Sequence, residues 1–128
     1  MRILVVLAVI LGFGARAWAL DLRTPALSAG VPQELRLVER DFKAGESSGW
    51  HIHHGIEMAY VMQGDVRVTI ERGAPRMLHA GDSFKLARDT PHEVFNVGST
   101  EARLIISYMM DKGVEERILI AKPTYAPN

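Results

Sequence analysis

The chain has 128 residues, 48% of them apolar, with 15 Lys and Arg balanced by 15 Asp and Glu and no cysteine. That length and apolar content suit one domain with its own core. A net charge of zero excludes the basic balance of a nucleic-acid-binding protein, and no charge run marks a membrane-surface tail.

In chain order, the first segment differs from the rest. Met1-Arg2 gives a short positive start, residues 3–14 form an apolar run, and Ala17-Trp18-Ala19 offers the small-x-small pattern that a signal peptidase reads. The run is shorter than the roughly 20 residues a membrane-spanning helix needs. Residues 1–19 are therefore expected to be a cleaved signal peptide, cut after Ala19 or, as the alternative, after Ala17. There is no cysteine for a lipid anchor and no twin-arginine pair, so general secretion is the expected route. The mature protein is then expected in the periplasm or outside the cell, and not as an integral membrane protein. Loss of Arg2 and Arg16 would move the formal charge from zero to −2. Without disulfides, an exported domain of this size depends on its core, a partner subunit or a metal.

Residues 20–32 form a Pro- and Gly-containing lead-in. From Gln33 the pattern becomes strand-like, with Leu35 and Leu37 alternating with polar neighbours. Short runs follow at 57–63, 66–71, 77–79, 83–86, 93–97 and 102–110, and turn residues such as Gly64-Asp65, Gly81-Asp82 and Gly98-Ser99 separate them. Short β-rich runs about ten residues apart predict an all-β sandwich or barrel. Residues 114–121 fit a strand or a helix, and 122–128 form a tail. One barrel domain is expected over 33–121.

Four residues stand out chemically. Side chains alternate along a strand, so His51 and His53 share a face. Gly55 permits a bend, Glu57 enters the next strand, and His92 opens a later one. Three imidazoles and a carboxylate suit one divalent first-row transition ion, with a position left for water or substrate. Iron, manganese, nickel, copper and zinc all remain open. His54 neighbours His53 and faces the other way, and His79 precedes a turn, so both read as surface residues.

These residues also fall in a spaced pattern. Gly45 is followed by five residues, then His51-Ile52-His53, three residues, Glu57, six residues and Gly64. Sixteen residues later, Gly81, His92 and Asn96 stand at fixed intervals, with Ala87 and Asp89 before the histidine. The pair resembles the two motifs of the cupins over about residues 33–112. It departs at Ala87 and Asp89, where that family usually has Pro and Gly. The resemblance implies a single cupin jelly-roll β-barrel with His51, His53, Glu57 and His92 as the metal ligands.

Parity from Glu57 puts Ala59 and Val61 on the metal face, and parity from His92 adds Val94 and Asn96. Phe84 and Leu86 are expected to complete a small apolar pocket wall, with Tyr108 as a further candidate. No Arg or Lys falls clearly on the inner face, which disfavours an anionic ligand. Met58, Tyr60 and Met62 form an apolar stripe on the opposite face, to be covered by the chain's own N-terminal strand or by a second copy in a homodimer.

The partner is expected to be a small molecule. The leading functional reading is an exported metal-dependent dioxygenase of a small organic compound. The alternatives are a metal-dependent isomerase or lyase and a non-catalytic metal- or ligand-binding protein, since this barrel hosts many chemistries.

Overall fold

The computed structural model describes residues 30–127, so the expected signal peptide lies outside the described residues. Nine strands run through them: β1 (Gln33–Phe42), β2 (His51–Ile52), β3 (Gly55–Gln63), β4 (Asp65–Ile70), β5 (Arg76–His79), β6 (Ser83–Leu86), β7 (His92–Asn96), β8 (Ala102–Asp111) and β9 (Ile118–Leu119). No helix among the described residues is long and apolar enough to cross a membrane.

The strands form two antiparallel sheets, ordered β1-β8-β3-β6 and β5-β4-β7-β2-β9. β8 shows the alternation that builds such a layer. Ala102, Leu104, Ile106, Tyr108 and Met110 point inward and are buried, while the residues between them face out. On the facing sheet, Val66, Val68, Leu78 and Val94 meet them in one core cluster with Phe42, Ala59, Val61, Phe84 and Leu86. Burying each of the larger side chains among these contributes about 1.5–3 kcal/mol. No strand is shared between the sheets among the described residues, so the expected barrel is realised as two facing sheets.

Two glycines fix how β3 sits. A Cβ on Gly55 would lie 2.3 Å from the Met109 carbonyl oxygen, so this residue lets β3 approach β8 closely. Gly64, between β3 and β4, has a φ of 81°, the left-handed region that L side chains avoid.

The segment of ambiguous period, 114–121, is extended. Its one regular piece, β9, pairs with β2, and the Ile120 amide donates to the Trp50 carbonyl. That brings Glu116 and Arg117 to the end of the sandwich where the three motif histidines lie. β1 lies beside β8 in the first sheet. It therefore does not cover the outer stripe, and Tyr60 and Met62 remain 40% and 51% exposed.

Candidate metal centre

His51 opens β2, His92 opens β7, and the two are direct cross-strand partners. His53 follows β2, and Glu57 is the third residue of β3. All four side chains are buried, and one ligand atom from each lies within 4.8 Å of the others.

Backbone carbonyls orient the rings. His51 Nδ1 lies 2.7 Å from the Gly49 carbonyl, His92 Nδ1 lies 2.9 Å from that of Thr90, and His53 Nδ1 meets that of Glu116. A carbonyl only accepts, so each Nδ1 carries the proton and each Nε2 presents a lone pair. A metal-binding histidine needs this arrangement. His53 Nε2 and His92 Nε2 lie 2.9 Å and 3.2 Å from Glu57 Oε2. These approaches lack hydrogen-bond geometry, and all three atoms are buried without a hydrogen-bond partner. Polar atoms orphaned together in this way cost stability unless something fills the space between them. The residues fit a divalent ion.

Burial and the neighbouring His92 push the His51 imidazole down to about 3, so it is neutral at ordinary pH. Burial pushes Glu57 up, but His53 and His92 outweigh it and hold the carboxyl at about 2. Burial pushes His53 down, and the adjacent Glu57 carboxylate with the Glu116 carbonyl reverses this, leaving it raised.

The second motif's departure at Asp89 is accommodated. Asp89 adopts a φ of 56°, the left-handed conformation that a glycine would take there, and Asp tolerates it better than most residues. Its carboxylate meets His54 Nδ1 at 2.6 Å, and its amide donates to the His53 carbonyl. His54 therefore faces away from the ligand cluster, and His79 pairs with Asp65 at the surface.

A cavity of about 160 Å³ opens on the cluster. It is lined by His51, Glu57, Tyr108, Val94 and Ile106, and by Phe42, Ser48, Arg40, Glu116 and Arg117. Of the wall read from parity, only Val94 is in the lining. Ala59, Val61, Phe84 and Leu86 pack in the hydrophobic core instead. Asn96 is fully buried and structural. Its Nδ2 donates to the Phe42 and Thr100 carbonyls, and its Oδ1 accepts from the Gly98 amide. Tyr108 does line the cavity, with its ring centroid 4.7 Å from that of His53. Burial, then Glu57 and Glu116, push its phenol upward against Arg40 and Arg117, so it stays a hydroxyl donor.

The expectation that no arginine or lysine faces inward is overturned. Arg40 and Arg117 both line the cavity. On β1 the inward residues are Arg36, Val38, Arg40 and Phe42, while Leu35 and Leu37 point out and are 69% and 71% exposed. The cross-strand register supplies the signal: Phe42 pairs with buried Ala102, so every second residue back from Phe42 faces in.

Residues 38–108 match the family model described as Cupin domain. The chain belongs to the cupin family. Among curated relatives, it is 34% identical to oxalate oxidase GF-2.8 of Triticum aestivum over 76 residues, covering 53% of this chain and 34% of that protein. It is 32% identical to germin-like protein 3-5 of Oryza sativa subsp. japonica, again over 53% of this chain and 34% of the relative. An oxalate oxidase structure superposes with a TM-score of 0.60 at 28% identity, covering 67% of this chain and 46% of that one. The DMSP lyase DddQ of Ruegeria pomeroyi DSS-3 superposes with a TM-score of 0.61 at 20% identity over 66% of this chain and 42% of its own, a likeness of fold. The chain spans about a third of the length of the curated relatives it matches.

Proposed function

We propose that this cupin is an exported metal-dependent dioxygenase of a small organic compound, with one divalent first-row ion held by His51, His53, Glu57 and His92. One observation carries the reading. The Nδ1 atoms of all three histidines are taken by backbone carbonyls, while His53 Nε2, His92 Nε2 and Glu57 Oε2 converge without hydrogen-bond partners. A bound redox-active ion would supply Lewis acidity and electron transfer there. The chain's own residues do the rest. Phe42, Val94 and Ile106 give the cavity apolar walls, and the Tyr108 hydroxyl can donate to an oxygen of the bound compound. Relatives named as oxalate oxidases support oxidation over the isomerase or lyase alternative.

Export rests on the pattern of residues 1–19. The uncovered stripe of Tyr60 and Met62, with Leu35 and Leu37 exposed on the same sheet two strands away, supports a second copy as its cover.

The test is elemental analysis of protein taken from its native exported compartment, paired with oxygen-uptake assays on that material. Iron, manganese, nickel or copper with substrate-dependent oxygen uptake is the expected result. Zinc without oxygen uptake would favour the isomerase, lyase or binding alternatives. The native source matters because affinity order alone favours copper and zinc in an overexpressing cell.

A further inference from the structure

We propose that Arg40 and Arg117 form an anion subsite on the cavity wall, and that the compound held there is a small organic carboxylate. This deepens the metal-enzyme reading and rests on it for one point, that the rest of the bound acid points toward His51 and Glu57.

Arg40 stands on the inward face of β1 with its guanidinium carbon 4.7 Å from the centroid of the Phe42 ring. Its Nε is buried and has no hydrogen-bond partner. Glu46 reaches its Nη2 at a long 3.4 Å, which leaves the guanidinium only weakly paired. The Arg40 side chain as a whole is 38% exposed, so its guanidinium stays charged and open to an anion, and an N–H donor without an acceptor gains when a ligand supplies one.

Arg117 reaches the same cavity from the segment before β9. It donates through Nη1 to the Ser48 carbonyl at 2.8 Å, which anchors it without neutralising it. Among the described residues, no carboxylate lies within ion-pair distance of Arg117. Its neighbour Glu116, which also lines the cavity, is engaged at 3.0 Å by Arg36.

The chemistry of the walls selects the anion. A guanidinium fork matches a planar carboxylate through two parallel N–H bonds. Phe42, Val94 and Ile106 offer apolar contact that inorganic phosphate or sulfate would leave unused. The volume limits the carbon skeleton: a cavity of about 150 Å³ takes a benzene-sized ligand, so an acid of about six non-hydrogen atoms fits.

The test uses 3-hydroxypropanoate, its neutral amide and sulfate as probes. Each is titrated into the full-length protein, with and without metal, while the arginine Nε–H resonances are followed by NMR. The acid is expected to bind both forms and shift the Arg40 Nε–H signal, with the amide and sulfate each at least about tenfold weaker. R40M and R117M should each weaken the acid by about tenfold or more, with metal content unchanged, and R40K should recover part of the loss. Equal affinity for acid and amide, sulfate binding as tight as the acid, or no shift up to about 100 mM acid would overturn the proposal on wild-type protein alone. Metal content in the same samples separates the two readings. Metal-loaded protein that does not discriminate acid from amide refutes the anion subsite only. Discrimination by a protein that never takes up metal refutes the metal-enzyme reading and leaves the arginine subsite standing.

Discussion

His51 and His92 face one another across the β2–β7 ladder, with ring centroids 4.1 Å apart. They come from different motifs, and backbone pairing brings them together. His53 and Glu57 then join from the turn and strand that follow His51. Strand pairing and chain connectivity thus place all four ligands together, and an ion held there would stabilise the folded chain.

The metal-free protein should therefore melt at a lower temperature than the loaded form. Free ion at about 100 times its Kd adds about 2.7 kcal/mol to a total of about 5–15 kcal/mol. Acid should close the gap, because protons compete with the ion for the imidazoles and the unperturbed group titrates near pH 6.5. The metal-free protein has a pH dependence of its own. The folded-state value of His51 is depressed, so its contribution is full above about 6.5 and is lost as pH falls toward about 3. His53 is raised and works the other way, contributing fully below its ordinary value and fading as pH rises through its folded value. Melting curves with and without chelator at pH 7.5 and pH 5 check this. A gap at pH 7.5 that persists undiminished at pH 5 would contradict it.

Asn96→Ala should destabilise the fold by about 2–4 kcal/mol, because it strips partners from the Phe42 and Thr100 carbonyls and the Gly98 amide in a buried place. Denaturant unfolding measures the loss. Variant protein that remains folded should keep its metal content, since Asn96 does not line the cavity. Loss of less than about 0.5 kcal/mol would mean that these bonds are replaced by solvent.

Gly55→Ala should be worse tolerated than its small size suggests. The added methyl would lie 2.3 Å from the Met109 carbonyl oxygen and 2.6 Å from the Met110 Cα, both backbone atoms that cannot swing aside. Overpacking of this kind costs about 1–3 kcal/mol or more, and pushing β3 from β8 also moves Glu57. The expected result is a lowered melting temperature together with weaker metal affinity. An unchanged melting temperature would count against the close approach.

N-terminal sequencing of exported protein should begin at Leu20, or at Trp18 if cleavage follows Ala17. An intact Met1 on exported protein would remove the secretion reading without touching the metal site.

The strands from β3 to β8 were legible because apolar alternation and turn residues agree there. The four clustered residues were legible because His51 and His53 share a strand face and because the spacing of Glu57 and His92 from them resembles the two cupin motifs. β1 was legible as a strand from about Gln33, but its facing was not, since its apolar Leu35 and Leu37 face out and its Arg36 and Arg40 face in, the reverse of the usual pattern. Parity put Ala59 and Val61 on an inward face, but that face is mostly core, and the cavity at the histidines is lined by few of its residues. Arg117 lay in a segment whose period fits either strand or helix, so only its pairing with β2 reveals where it goes.

The most direct test of the central claim is metal stoichiometry in four proteins: wild type, His51→Ala, His92→Ala and His54→Ala. Each is purified in parallel and measured by elemental analysis. The account predicts about one divalent first-row ion per chain in wild type and in His54→Ala, whose ring is turned out toward Asp89, and severe loss in the other two. Equal metal content in all four, or none in wild type after loading, would contradict it.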